Sequence, residues 1–121
     1  MPKKIFIIVE DNPLLRSFFM DSIRRIIWKT NKRIYYEVRS IDVVDEIKLS
    51  PKGFILIGMD FNGESMLGII KSLKKDGYPV VIATSGLPAN KELAIKAGAD
   101  FFVNQPDDLP RKIENIITTL L

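Results

Sequence analysis

The sequence predicts an α/β domain in which a parallel sheet is covered by helices on both faces. Short apolar, β-branched runs alternate along the whole chain with longer segments of helical periodicity. Most of the short runs are apolar at successive positions, which is typical of strands buried on both faces of a parallel sheet. The 121 residues contain no repeat, low-complexity tract or linker, so we assign residues 1–121 to one domain.

Five of the short runs are predicted to be strands. They are residues 5–9, 34–38, 54–57, 80–84 and 100–103. A helical segment follows each of them, so the strands are expected to run parallel and to be joined by right-handed crossovers.

Five helices are predicted after these strands. Asn12 is a good N-cap and Pro13 a good first residue for the first helix, which carries an apolar stripe at i, i+3, i+4 spacing. The others are predicted at about 43–49, 65–75, 89–97 and 109–121. Asp42 is expected to cap the second helix. Gly77 and Gly98 are expected to end the third and fourth, because glycine readily takes the left-handed conformation that closes a helix.

The composition limits the chemistry of the chain. It contains neither cysteine nor histidine, which excludes disulfides, thiol nucleophiles, Cys/His metal sites and histidine-based triads. The remaining oxygen ligands suit a hard cation such as Mg²⁺. No apolar stretch is long enough for a membrane-spanning helix, and the N-terminal apolar run is too short for a signal peptide, so we expect a cytoplasmic protein.

The charge is mildly basic and unevenly distributed. The formal net charge of +3 does not by itself predict nucleic-acid binding. Residues 22–36 hold several lysines and arginines and no acid. We interpret this stretch as a solvated helix end rather than a binding patch, because cations near a helix C-terminus interact favourably with the dipole.

Two adjacent acids, Glu10 and Asp11, follow the first predicted strand. Ligand sites of parallel sheets lie at this edge, where the strands end. A dinucleotide or P-loop site would need glycines and free amides here, whereas two carboxylates repel each other unless a cation bridges them. The pair therefore favours a cation site, and the alternative is that Asp11 or Asn12 only caps the first helix.

Three segments resemble the receiver domains of bacterial response regulators. They are KKIFIIVEDNP at 3–13, PVVIATS at 79–85 and AGADFFVNQP at 97–106. Their order and spacing match the family over the whole chain, and the ordered set is more specific than any one segment. The resemblance implies a flavodoxin-like (βα)5 three-layer sandwich with strand order 2-1-3-4-5. It also implies a role in two-component signal transduction, with a signalling protein or a histidine kinase-related protein as partner.

In that family, two acids after the first strand and an aspartate at the end of the third strand bind magnesium. The aspartate accepts a phosphoryl group from a histidine kinase, and a hydroxyl after the fourth strand and a lysine after the fifth contact that group. By resemblance, Glu10 and Asp11 match the acids and Thr84 matches the hydroxyl. Phe102 matches the aromatic residue that reports the switch, and Pro106 matches the proline that follows the lysine.

Two positions depart from the family pattern. Gly58 stands where the phosphoacceptor aspartate belongs, and Gln105 stands where the lysine belongs. Losing both leaves the local charge balance unchanged, whereas losing one would leave an uncompensated charge in a partly buried cleft. The resemblance therefore implies a degenerate receiver that is not phosphorylated and is not an enzyme. It requires no cofactor, and Mg²⁺ binding at Glu10 and Asp11 is expected to be weak or absent.

Two alternatives remain open. Asp60 could supply a third carboxylate to a metal or act as a displaced phosphoacceptor, or it could simply begin the turn at 60–63. A hypothesis of another class is a small-ligand binder on a flavodoxin-like scaffold, for which Gly58, Gly63 and Gly86 offer free amides near strand ends.

The resemblance also suggests a surface for protein contacts. Receivers commonly dimerise through the fourth helix, fifth strand and fifth helix, so a homodimer through this face is one expectation. The candidate residues are Leu93, Ile95, Lys96, Phe101 and Arg111. Phe101 and its neighbour Phe102 are expected to face opposite sides of the sheet, and burial of both is favoured over an exposed docking role. We expect no nucleic-acid binding within these residues, and nothing in them indicates whether an output domain follows Leu121.

Overall fold

The computed structural model describes residues 4–29, 36–42, 44–49, 52–105, 108 and 111–120. Its main sheet is built from five strands, which are β1 (Lys4–Val9), β2 (Tyr36–Ser40), β3 (Phe54–Gly58), β6 (Val80–Ser85) and β7 (Phe101–Asn104). A two-residue hairpin, β4 (Asp60–Phe61) and β5 (Glu64–Ser65), lies between β3 and β6 in the chain. All main-sheet pairs are parallel and the order is β2-β1-β3-β6-β7. Counting only these five strands, the order is 2-1-3-4-5, which confirms the predicted flavodoxin-like fold.

Helices cover both faces of the sheet. They are α1 (Pro13–Lys29), a 3₁₀ helix (Val44–Leu49), α2 (Leu67–Lys75), α3 (Asn90–Lys96) and α4 (Arg111–Leu120). Residues of α1 and α4 pack together on one face, and residues of the 3₁₀ helix, α2 and α3 pack on the other. In the described part of the chain, no helix combines the length and the apolar character that crossing a membrane requires.

The core consists of two apolar clusters, one on each face of the sheet. Along β1, Phe6 and Ile8 belong to the cluster under α1 and α4, whereas Ile7 and Val9 belong to the cluster under α2 and α3. All four are at most 1% exposed. This alternation explains why the strands are apolar at successive positions, since each face of the sheet meets a helical layer.

The helix ends follow the sequence prediction closely. The side-chain Oδ1 of Asn12 accepts hydrogen bonds from the amides of Leu14 at 2.9 Å and Leu15 at 3.2 Å, which confirms Asn12 as the cap of α1. Gly77 and Gly98 have φ values of +91° and +109°, so both take the left-handed conformation predicted for them.

The second predicted helix differs in type. The prediction of an ordinary helical pattern at 43–49 is corrected to a six-residue 3₁₀ helix, and residue 43 lies outside the described residues. Such tight helices occur in short pieces, and this one ends just before Pro51. Asp42, the predicted cap, accepts a hydrogen bond from Arg16 Nη1 at 2.9 Å, so its carboxylate contacts α1.

Two boundaries also moved. The second strand, predicted at 34–38, is described over Tyr36–Ser40 and so extends two residues past its predicted end, with Lys4 paired to Tyr36 and Ile8 to Ser40. Residues 34 and 35 lie outside the described residues. The third helix, predicted from residue 65, begins at Leu67 because β5 takes up Glu64–Ser65.

The β4–β5 hairpin was not predicted. Asn62 and Gly63 join its two strands with φ values of +50° and +82°, which is the pattern of a tight hairpin turn with two left-handed central residues. The amide of Met66 donates to the carbonyl of Met59 at 2.7 Å and closes the base of the hairpin. The hairpin thus begins directly after β3, at the edge of the sheet where the strands end.

Candidate functional site

The candidate site lies at the carboxyl ends of β1, β3 and β6. Parallel pairing matches Val9 with Ile57, so Glu10, the residue after β1, comes opposite Gly58. The pairing of β3 with β6 matches Gly58 with Thr84. Three positions selected from the sequence are therefore brought together by strand register alone.

Glu10 is the buried acid of this site. It is 5% exposed, and its Oε1 accepts a hydrogen bond from the Asn12 amide at 3.2 Å. Burial raises the pKa of Glu10 from 4.5 to about 7, and the neighbouring carboxyl of Asp11 adds to this rise. Hydrogen bonding from the Asn12 amide and the Gln105 side chain acts in the opposite direction and limits it.

Gly58 leaves room for the Glu10 carboxyl. A Cβ atom built on Gly58 would lie 2.9 Å from Oε2 of Glu10 and 3.4 Å from the carbonyl oxygen of Asp60. A separation below 3.0 Å is too short for an ordinary contact, so a side chain at position 58 and the present placement of Glu10 exclude each other. The space at the end of β3 is thus occupied by an acid that belongs to β1.

Asp11 is exposed and holds the hairpin. Its Oδ2 accepts a hydrogen bond of 2.8 Å from the amide of Asn62, at the turn of the β4–β5 hairpin. The two residues are 51 positions apart in the sequence, so this bond ties the hairpin to the end of β1. The carboxylate that the sequence offers to a cation is therefore already paired with a backbone donor.

Asp60 lies on the hairpin itself. It is exposed and pairs with Ser65 in the hairpin register, and its backbone oxygen is the part nearest to Gly58. Within the described ranges, no three acids lie close enough together to hold a metal ion. The site offers two carboxylates, one buried against Gly58 and one engaged by an amide, and this donor set fits Mg²⁺ poorly.

Thr84 carries a buried hydroxyl. It is 1% exposed, and its Oγ1 has no hydrogen-bond partner among the described residues. Its carbonyl accepts the Met59 amide at 2.9 Å. The Oγ of the next residue, Ser85, accepts hydrogen bonds from the Leu87 amide at 3.1 Å and from Asn90 Nδ2 at 2.9 Å.

No model of a known protein family matches the sequence, and no curated protein matches it. Solved structures do. The receiver domain of a sensor histidine kinase from Pseudomonas aeruginosa PAO1, with magnesium coordinated in its active-site cleft, superposes with a TM-score of 0.74 at 14% identity, covering 98% of this chain and 97% of that one. The receiver domain of the TMAO respiratory response regulator TorR gives 0.67 at 20% identity, covering 97% and 96%.

A longer protein gives a similar result. The response regulator DrrB of Thermotoga maritima superposes with a TM-score of 0.72 at 14% identity, and the match covers 98% of this chain and 50% of DrrB. The chain has the receiver fold. The sequence resemblance and the strand order therefore agree on architecture, and the positions at the strand ends can be compared within it.

Gly58 and Gln105, the two positions that the resemblance sets apart, both lie close to Glu10. Gly58 ends β3 beside the Glu10 carboxyl, and the side chain of Gln105, which follows β7, lowers the pKa of the same carboxyl. The amide of Gln105 donates to the Ser85 carbonyl at 2.7 Å, which continues the strand pairing by one residue. Pro106, the neighbouring position taken from the resemblance, lies outside the described residues.

The two adjacent phenylalanines of β7 face opposite sides, as predicted. Phe102 is 4% exposed and lies in the core cluster under α2 and α3. Phe101 is half-buried and packs against the other cluster. The remaining candidates for a contact surface are exposed, with Leu93 at 49%, Ile95 at 46%, and Lys96 and Arg111 also accessible.

Sequence reasoning missed two contacts of this site. One is the bond from the Asn62 amide to Asp11, and the other is the placement of Glu10 against Gly58. The Asn62-Gly63 pair is a recognised hairpin signal and could have indicated the first contact. Nothing in the sequence indicates the second, because it depends on the side-chain conformation of Glu10.

Proposed function

We propose that this chain is a receiver-like signalling module that acts through protein contacts and is not phosphorylated on an aspartate. The observation that carries the proposal is Gly58 at the end of β3, opposite Thr84, with the carboxyl of Glu10 filling the adjacent space. The likeness to receiver domains of response regulators and of a sensor histidine kinase supports the signalling class.

The chemistry of phosphoryl transfer explains why this site is unsuited to it. The reaction needs a positioned nucleophile and cations that neutralise the charge of the transferred group. Glycine offers no nucleophile, and Gln105 is neutral. Glu10, the carboxyl that occupies the position, is 5% exposed and has a raised pKa. Its burial keeps it from an incoming phosphoryl donor, and its protonated fraction is a poor nucleophile.

We expect magnesium to bind weakly or not at all. A metal ion would have to draw Asp11 away from the Asn62 amide and Glu10 away from the Asn12 amide, and both separations oppose binding. Backbone amide NMR shifts of Glu10, Asp11 and Asn62 report directly on these bonds during a Mg²⁺ titration. Saturable shifts at submillimolar Mg²⁺ would contradict this expectation.

Phosphorylation is tested by incubating the protein with acetyl phosphate and Mg²⁺ and measuring its intact mass. We expect no phosphoryl adduct on the unchanged chain. The matched control is the double variant Gly58→Asp/Gln105→Lys, which restores the two groups that the receiver pattern requires. An adduct on the double variant alone supports the proposal, whereas an adduct on the unchanged chain, at Asp60 or elsewhere, overturns it.

For the docking surface we propose the exposed side of α3. Leu93 and Ile95 are about half exposed on this short helix, and Lys96 lies beside them. Apolar side chains rimmed by a charged one are typical of protein contact surfaces. The occupant is expected to be a signalling protein, and the double variant Leu93→Ala/Ile95→Ala should weaken its binding without changing the fold.

A further inference from the structure

A groove of about 190 Å³ lies between the 3₁₀ helix and α2, on the face of the sheet away from α1. Its floor is apolar and includes Ile47, Leu73 and Tyr78. The hydroxyl of Tyr78 donates to the Ile47 carbonyl at 2.7 Å, which fixes the ring at the floor of the groove, where Tyr78 is 3% exposed. Asp45 and Asp76 stand at its rim and are both exposed.

The groove attracts cations. Asp76 is the C-cap of α2, and Lys52 Nζ donates to its carbonyl and offsets the helix dipole there, so the attraction comes from the two rim carboxylates. Lysines of α2 lie nearby, but no cation is among the described residues that line the groove. The groove therefore fits an apolar side chain that is flanked by basic ones.

The same chain presents such a group at the end of α1. Trp28, the one tryptophan of the chain, is 85% exposed. Arg25 lies one turn before it on the exposed side of the helix, and Lys29 follows it directly, also exposed. A large aromatic side chain exposed to water among cations is typical of a contact residue, because its burial contributes a large favourable free energy.

The two features lie at the same end of the sheet, where the parallel strands begin. A helix that follows a parallel strand runs back towards this end, so α1 and α2 both end there. They belong to opposite layers, however, since α1 packs in one core cluster and α2 in the other. A two-fold axis that crosses the strands at this end of the sheet therefore brings the layer that holds α1 in each copy against the layer that holds α2 in the other.

We propose that two copies of this chain pair at this end of the sheet, where the strands begin. Each copy places Trp28 in the groove of the other, between Asp45 and Asp76. Arg25 and Lys29 face the two rim acids across the contact. The exchange is reciprocal, so the pair closes on itself as a dimer and does not grow into a chain. Each copy has a net charge of +3, and opposite charges placed at the contact offset this overall repulsion.

Sedimentation velocity over a range of protein concentrations tests the pairing, with Trp28 fluorescence as a second readout. We expect a monomer–dimer equilibrium, with a blue shift of the tryptophan emission as the dimer forms. Trp28→Ala should weaken the dimer about tenfold or more, as expected for the loss of a buried aromatic anchor. Asp45→Lys/Asp76→Lys should do the same, and both variants change exposed positions, so circular dichroism should show an unchanged fold.

A charge exchange provides the sharpest control. Mixing Asp45→Lys/Asp76→Lys with Arg25→Glu/Lys29→Glu should restore pairing between the two variants, although neither pairs with itself. The α3 surface supplies the matched negative control, because Leu93→Ala should leave the dimer intact. A monomer at every concentration overturns the proposal, and so does a dimer that is lost with Leu93→Ala and kept with Trp28→Ala.

Discussion

Oε2 of Glu10 lies 2.9 Å from the position that a Cβ atom on residue 58 would take, so the observed position of the Glu10 carboxyl requires a glycine at residue 58. The glycine provides the space, and the glutamate fills it with a buried carboxyl that accepts a hydrogen bond from the Asn12 amide. Gly58 and Gln105 therefore both lie close to one acid, Glu10. The consequences of this placement for stability can be measured without any partner.

Gly58, at the end of β3, and Gly53, directly before β3, should respond differently to substitution by alanine. At Gly58, a Cβ would meet the end of the flexible Glu10 side chain, which can move, so Gly58→Ala should change the free energy of unfolding by less than about 1 kcal/mol. At Gly53, a Cβ would lie 2.3 Å from the carbonyl oxygen of Ile5, which is fixed in β1. Gly53→Ala should therefore destabilise the protein by about 2 kcal/mol or more.

Urea denaturation of the two variants beside the unchanged protein measures this contrast. Equal losses of stability at both positions would mean that Glu10 is held as rigidly as a strand backbone. That result would contradict the placement of a movable carboxyl beside Gly58.

Stability should fall as the pH rises through the range in which Glu10 titrates. Its pKa is about 7 in the folded protein and 4.5 as its ordinary value, so the folded state binds more protons than the unfolded state between these limits. The contribution of this group is fully present below about pH 4.5 and lost by about pH 7, and it amounts to about 3 kcal/mol at most. Glu10→Gln should remove this slope and leave the protein more stable than the unchanged chain at pH 8.

Urea denaturation between pH 5 and pH 8 measures the effect. This range excludes the titration of Asp108, whose effect on the pH dependence of stability has the opposite sign. The Asn104 amide donates to Asp108 and lowers the pKa of that carboxyl, so the contribution of Asp108 is lost only when the pH falls below its ordinary range. Above about pH 5 Asp108 stays charged, and the slope belongs to Glu10. A parallel slope in the unchanged protein and in Glu10→Gln would show that Glu10 titrates normally.

The architecture could be predicted from the sequence because it depends on local patterns. Strands that are apolar on both faces, and helices with one apolar stripe, leave few arrangements other than a sheet between two layers. The β4–β5 hairpin was missed because its strands have two residues each, too few to show a period. The neighbouring Met66 fits the helical stripe equally well, and this moved the predicted helix start into β5.

The site was predictable only in part, and for a physical reason. Strand register brings Glu10, Gly58 and Thr84 together, and register follows from the pattern of apolar residues. Where the Glu10 carboxyl lies depends instead on the packing of one side chain against a residue 48 positions later. No pattern in the sequence encodes such a contact.

The hairpin should open more often when its bond to Asp11 is removed. The Asn62 amide donates to a charged acceptor at 2.8 Å, and such a bond protects the amide from exchange with solvent. Asp11→Ala should raise the exchange rate of the Asn62 amide about tenfold, the effect of losing a charged hydrogen bond that is partly screened by water. Hydrogen exchange followed by NMR gives this rate residue by residue.

The matched control for this change is Asp60→Ala. Asp60 is an exposed acid on the same hairpin, and no described residue donates a hydrogen bond to its carboxylate. Removing it alters the hairpin charge without touching the bond to Asn62, so the exchange rate should stay the same. Equal acceleration by both variants would attribute the effect to charge and not to the Asp11 bond.

Thr84→Val should stabilise the protein. The Thr84 hydroxyl is buried at 1% exposure and has no partner among the described residues, and an unpaired buried hydroxyl costs free energy that a methyl group of the same shape does not. We expect a gain of about 1 kcal/mol in the free energy of unfolding, measured by urea denaturation, whereas Thr84→Ser should lose stability because it removes the methyl group and keeps the unpaired oxygen. A loss of stability in Thr84→Val would contradict this expectation, because it would show that the Thr84 hydroxyl has a hydrogen-bond partner in solution.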